Sequence, residues 1–215
     1  IRAGRTPGQL HNNCSGKHAG FLTLARHIGG GPEYVDPAHP VQKAVRAAFE
    51  EVTGAPAPGW AIDGCSAPNF ACRLEDLARA MARFAAAAAA GPEQGGARER
   101  AMARLVAAMT AHPELVAGEG RACTVLMRAM DGRAAVKTGA EGVFVAILPG
   151  QGLGVAVKIA DGARRAAECA IAALLVRLGV LERDHPATRS LLDAPIRNRR
   201  GLVTGVLRAS DALSG

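Results

Sequence analysis

The 215-residue chain is predicted to be an α+β protein, helical in its first half and built on an antiparallel meander in its second. Two observations carry this. Up to Met109 the apolar residues recur at helical spacing, and from Arg133 onward three short β-prone runs, 134–138, 143–148 and 153–159, are separated by the turn sequences GAEG and PGQG. No alternation of strand and helix of the βαβ kind interrupts either half, so a parallel sheet is not expected.

Taken in order, residues 15–28 (SGKHAGFLTLARHI) read as a helix stopped by Gly29, Gly30 and Gly31. After the turn-rich DPAHP, Val41, Val45, Phe49 and Val52 mark a second helix, ended by Gly54 and the APAPGW stretch. Leu74, Leu77, Met81 and Phe84 mark a third that runs into the alanine tract 85–90, and Met102, Leu105, Val106 and Met109 mark a fourth. The GPEQGG between these two is a connector, because neither flank is long enough to close its own core. The meander follows, and a closing helix over about 163–178 offers Ile171, Leu174, Leu175 and Leu178 to one sheet face. The whole stretch 1–215 is expected to be a single domain.

With 49% apolar residues the chain can build a core, which excludes a disordered tail or a disulfide miniprotein. The formal charge is +7, yet aromatics are only 3%, with Trp60 and Tyr34 the lone Trp and Tyr, so a base-stacking nucleic-acid binder is disfavoured. Arg197, Arg199 and Arg200 read as a solvated face rather than a binding stripe. No apolar run of roughly 18 residues and no signal segment is present, so a cytoplasmic protein without nucleic-acid or membrane partners is expected. Five cysteines, at 14, 65, 72, 123 and 169, are odd in number and do not suggest a disulfide framework. Cys123 and Cys169 lie in apolar surroundings and read as small core residues.

Three clusters can carry chemistry. In HNNCSGKHAG (11–20), Cys14, Lys17 and His18 stand at i, i+3 and i+4, adjacent on the first turn of a helix. Helix amides and a nearby ammonium favour a thiolate, making Cys14 a candidate nucleophile or metal ligand; the plainer alternative is that Asn13 or Ser15 caps the helix and Cys14 packs beneath it. The second cluster, DGCSAPNFAC (63–72), is a polar turn holding Cys65, in which Asp63 and Asn69 equally serve as turn formers. Cys14 and Cys65 alone do not define a metal site, which needs His, Lys or carboxylate to join them. The third is Lys137-Thr138-Gly139 at the end of the first meander strand, an arrangement similar to that of serine acyl-transfer enzymes of the penicillin-recognising fold. Its alternative is a strand-end lysine reaching solvent. Only four of the 26 basic residues are lysine, and two of those four, Lys17 and Lys137, fall in these clusters.

Together HNNCSGKHAGFL, YVDPAHPVQ, DGCSAPNFA, HPELVAGEGR, VKTGAEGVF and GLGVAVKIADGARRA resemble the asparaginase II family of the Rhizobium thermolabile type. The resemblance runs from about residue 8 to about 205. It implies a serine β-lactamase/glutaminase-like fold and hydrolysis of L-asparagine to aspartate and ammonia. It further implies a zinc ion held by Cys14, Lys17 and Cys65, with Lys17 bound as the neutral amine, and it sets Lys17 and Lys137 among the catalytic residues. Asp63 and His18 flank that site as substrate-binding or supporting groups, and a homodimer is implied. In the family the nucleophile is the serine of a Ser-x-x-Lys motif upstream of HNNCSGKHAG, whereas here no Ser or Lys precedes Cys14. The expectation is therefore of an N-terminally truncated piece, inactive alone and with an exposed sheet edge. Two rival readings are another acyl hydrolase of the same fold and a non-catalytic zinc-binding domain.

Overall fold

Pro40 opens a helix, Gly54 closes it, and a polar turn ahead of Arg73 completes the first of two units. In a computed structural model of the chain, residues 4, 6, 8 and 11–214 are described. The chain that the sequence treats as one domain divides into the units Ile1–Arg73 and Leu74–Gly215.

In the first unit, α1 spans Ser15–His27 and α2 spans Pro40–Thr53. The start of α1 corrects the expectation of an Asn13 or Ser15 cap. Cys14 itself is the N-cap residue and makes no side-chain cap, while Asn12 Oδ1 accepts the Cys14 N–H at 2.9 Å. Gly29, at φ +69°, lets the chain leave α1 in the left-handed conformation, and the Gly30 N–H donates back to Ala25 O at 2.7 Å. α2 begins on Pro at its first turn, with His39 Nδ1 accepting the Val41 N–H at 3.1 Å. Two short strands the sequence does not reveal, β1 (Trp60–Ile62) and β2 (Pro68–Phe70), pair antiparallel with Ala61 opposite Asn69. Three residues per strand are too few to display alternation. Phe70 of β2 meets Phe49 of α2, ring centroids 6.0 Å apart.

In the second unit, α3 (Leu74–Ala90) and α4 (Ala97–Ala111) pack on each other across the expected connector. α5 (Pro113–Ala117) and α6 (Ala122–Ala129) follow. The three expected strands form β3 (Ala135–Thr138), β4 (Val143–Leu148) and β5 (Leu153–Lys158), an antiparallel sheet in that order, with Lys137 opposite Val145 and Val145 opposite Ala156. α3 lies against β5 so closely that a Cβ on Gly154 would collide with the backbone of Ala78, Met81 and Ala82. The alanine tract has the same use, since buried Ala85 and Ala87 add little bulk to the helix.

α7 (Arg164–Arg177) packs on β4 and β5 and buries Ile171 and Leu175 completely, beside Phe144, Leu148, Leu126, Met127 and Met130. At roughly 1.5–3 kcal/mol for each large side chain removed from water, this set is the main source of stability in the unit. Leu105 departs from its expected inward place: it is 55% exposed, and Ala103 takes the buried position on α4 instead. α7 does not close the chain. It is followed by α8 (Pro186–Leu192), the hairpin β6 (Ala194–Arg197) and β7 (Val203–Leu207), and α9 (Asp211–Ser214). The arginine-rich turn of that hairpin hid it from the sequence; Arg197, Arg199 and Arg200 are exposed, as a solvated face requires. Among the described residues no helix is long and apolar enough to cross a membrane.

Candidate active site

Two turns in the first unit bring four side chains together. The first turn of α1 presents Cys14 and Lys17, and the β1–β2 turn presents Asp63 and Cys65. Asp63 builds that second turn: its Oδ1 accepts the N–H groups of Cys65 at 2.9 Å and Ala67 at 3.0 Å, the Asx pattern that lets one carboxylate replace a stretch of backbone ladder. Ser66 is left at φ +73° inside the loop.

Lys17 Nζ reaches across from α1 and donates to Asp63 Oδ2 at 2.6 Å and to Cys65 Sγ at 3.0 Å. Cys65 Sγ in turn donates to Asp63 Oδ1 at 3.1 Å, and the Cys14 and Cys65 thiols interact directly. The Lys17–Asp63 pair is partly open to water, at 36% and 23% side-chain exposure. Such a pair contributes at most about 1 kcal/mol, so the cluster is a poor stabilising device for its elaboration.

The protonation states follow from the neighbours. Burial alone would lower the Lys17 pKa, but hydrogen bonds and charge from Asp63 and Cys65 outweigh it and hold the pKa above its ordinary value. Burial alone would raise Asp63; the Lys17 ammonium, the Cys65 thiol and the two backbone N–H groups outweigh it and keep the carboxyl well below the usual range. Burial pushes the Cys65 thiol up, opposed by Lys17 and assisted by Asp63 and Cys14. Without a metal, then, the cluster is an ammonium, a carboxylate and a protonated Cys65.

The donor set fits zinc in kind. Two thiols and an amine converge, and a carboxylate already grips the amine. Among the described residues no three His, Cys, Asp or Glu side chains form a metal-holding group, so three protein ligands are reached only by counting the Lys17 amine. Binding would remove the Lys17 proton and those of both thiols, which makes it pH-dependent.

His18 is on the same helix turn but faces elsewhere. Its Nδ1 lies 2.9 Å from the Tyr34 hydroxyl, and its ring stands edge-on to Phe21 and Tyr34, at 5.8 and 5.6 Å between centroids. Its Nε2 is enclosed without a partner. The backbone carbonyl of Tyr34 is itself held by buried Gln42, whose Nε2 donates at 2.7 Å. Tyr34 is the residue the sequence reading missed here, and its being the only tyrosine was the available signal.

Lys137 belongs to the second unit, exposed near the end of β3, with Nζ donating to Thr138 O at 2.5 Å. Behind it, buried Cys123 of α6 accepts the Thr138 N–H at 3.1 Å. Cys169 is also buried, and none of the five cysteines forms a disulfide among the described residues. The structure thus brings Cys14, Lys17, Asp63 and Cys65 together, turns His18 toward Tyr34, and sets Lys137 on the first strand of the second unit's sheet.

The mixed α+β chain thus gathers two thiols, an amine and a carboxylate on two adjoining turns of its first unit. The family model for L-asparaginase II matches residues 1–209, and the chain belongs to that family. No curated protein matches the chain.

Proposed function

We propose that this protein is an L-asparagine amidohydrolase, releasing ammonia from the side-chain amide and leaving aspartate. Membership of the L-asparaginase II family supports it. The observation that carries it is the convergence of Lys17 on Asp63 and Cys65 from 46 and 48 residues away, at 2.6 and 3.0 Å.

In this reading Cys14, Lys17 and Cys65 hold a zinc ion, which when bound supplies Lewis acidity and an attachment point for the substrate's polar groups. Asp63 keeps the Lys17 amine and the Cys65 turn in place and meets a charged substituent of the amino acid, while His18, held by Tyr34, supports the helix turn that carries Lys17. Lys137 takes the role expected of a Lys-Thr-Gly lysine in a serine β-lactamase-like fold, a source of positive charge and a hydrogen bond for the substrate. Amide cleavage proceeds by addition of a serine hydroxyl to the side-chain carbonyl, departure of ammonia, and hydrolysis of the resulting ester by water. The 215 residues contain no Ser-x-x-Lys, and the reading assigns the serine and its base to the motif that the family resemblance sets upstream of HNNCSGKHAG. A cytoplasmic homodimer is the proposed working form.

Ammonia release from L-asparagine by the protein carrying its upstream Ser-x-x-Lys tests the proposal, with the Ser→Ala variant alongside. Turnover abolished by the substitution is the expected result. Absence of turnover in the parent protein, or full activity in the variant, overturns it. Nitrocefin as a second substrate separates this activity from that of a β-lactam hydrolase of the same fold.

A further inference from the structure

We infer that Cys123 is a positioning residue for Lys137, acting through the Thr138 amide; the inference rests on the catalytic role proposed for Lys137. The geometry begins with strand parity. Lys137 pairs with Val145, and the Gly139 N–H donates to Val143 O at 2.7 Å, so the odd-numbered residues of this strand turn their N–H groups toward β4. The Thr138 N–H consequently points out of the sheet's edge, where an edge strand ordinarily meets water or another chain. Here it meets a sulfur instead. Cys123, in the first turn of α6 and 0% exposed, accepts it at 3.1 Å.

The contact fixes the plane of the peptide that joins Lys137 to Thr138, and so the direction in which the Lys137 side chain leaves the strand. The turn beyond is held from the other side. Lys158 Nζ donates to Glu141 O and Ile159 O, both at 2.6 Å, and a Cβ on Gly142 would meet Ile159 Cβ at 2.8 Å. A side chain with four rotatable bonds gains direction only from a fixed base, and this strand end is fixed at both of its flanks. An aliphatic residue in place of Cys123 would fill the space but leave the Thr138 donor unsatisfied; serine would keep an acceptor of similar size.

The scarcity of lysine makes the test direct. In protein labelled with 13C-lysine the Cε signals include those of Lys17, Lys43, Lys137 and Lys158, and Lys137→Ala identifies the one that matters. In Cys123→Ala the Lys137 signal should move toward the position of free lysine while that of Lys43 stays; Cys123→Ser should return it. In the full-length protein kcat/KM for asparagine should fall on the order of tenfold in Cys123→Ala and be restored by Cys123→Ser. If Cys123→Ala does not fold, Cys123→Val makes the same comparison with the volume kept. An unmoved Lys137 signal in the aliphatic variant, or an equal displacement in Cys123→Ser, overturns the inference. If the parent protein releases no ammonia, the asparaginase reading fails, and the lysine spectra alone still decide whether Cys123 orients Lys137.

Discussion

Lys17 and Asp63 meet at 2.6 Å although 46 residues separate them, and the same carboxylate organises the turn that carries Cys65. One side chain therefore links a helix start to a strand turn and sets the distance between the thiols that flank the amine. Replacement of Asp63 should be felt in two separable ways. Asp63→Ala removes the acceptor of the Cys65 and Ala67 N–H groups as well as the charge, and should cost about 1–3 kcal/mol in urea unfolding of the metal-free protein. Asp63→Asn keeps a carbonyl oxygen for the turn and should cost less than half as much. Equal losses would mean that the charge, rather than the turn, does the holding.

The pH dependence of that difference has a definite shape. The Asp63 pKa is lowered by folding, so its contribution is present above the unfolded value, about 3.9, and is lost as pH falls from there toward the folded value. The Cys65 and Lys17 pKa values are raised, so their contributions are complete below the unfolded values, about 8.5 and 10.4, and are lost as pH rises through the folded ones. The stability difference between the parent and Asp63→Asn in chelator-treated protein should be level between about pH 5 and pH 8 and shrink on both sides. A difference that grows toward acid would contradict the arrangement.

Zinc content tests the ligand assignment apart from activity. The parent protein should retain about one zinc per chain after dialysis, and Cys14→Ala or Cys65→Ala should fall well below half of that, because a site left with one thiol and an amine is a weak one. Lys17→Met should do the same if the amine is a ligand. Retention of stoichiometric zinc in both cysteine variants would remove the site from this cluster.

The elements that present these residues were legible to different degrees, for physical reasons. The α1, α2, α3, α4 and α7 helices, and the β3–β5 meander, carry runs long enough for periodicity to show. β1 and β2 do not, and Pro68 within β2 argues against a strand unless the strand is short and at an edge. Leu105 looked like core because its spacing fits the α4 pattern, yet it is 55% exposed while Met102, Ala103 and Val106 take the buried face. At the site, Asp63 entered only through the family resemblance, whereas Cys14 and Lys17 stood out at a helix start and Cys65 in a polar turn. The His18–Tyr34 contact did not, since nothing local to either residue specifies a partner 16 positions away.

The five thiols should divide by burial. Cys123 and Cys169 are 0% and 4% exposed, and burial raises both pKa values, so neither is accessible nor readily ionised. An aromatic disulfide reagent at pH 8 should titrate Cys14, Cys65 and Cys72 in the native metal-free protein and reach all five only after denaturation. Zinc should protect two of the three. Rapid reaction of a fourth thiol in native protein would show that the core around α6 or α7 opens on that timescale.

Two glycine replacements should move stability in opposite directions, and the reason lies in what each Cβ meets. Gly20 is inside α1 with nothing within 4 Å of an added Cβ, and its φ is not in the left-handed range. Alanine there restricts the unfolded chain and favours the helix, so Gly20→Ala should stabilise by about 0.5–1 kcal/mol. Gly154 has the opposite surroundings: a Cβ would overlap the α3 backbone at Ala78, Met81 and Ala82, atoms that cannot rotate out of the way as a side-chain tip can. Either α3 moves off β5, uncovering part of the sheet, or the strand shifts register against β4. Overpacking of this kind typically costs 1–3 kcal/mol, and with backbone on both sides Gly154→Ala should lie at or beyond the upper end, about 3 kcal/mol. Thermal unfolding of the two variants beside the parent gives the sign of each. A neutral Gly154→Ala would mean that α3 does not rest on β5 at this point, and with it would go the close helix–sheet contact on which the second unit is built.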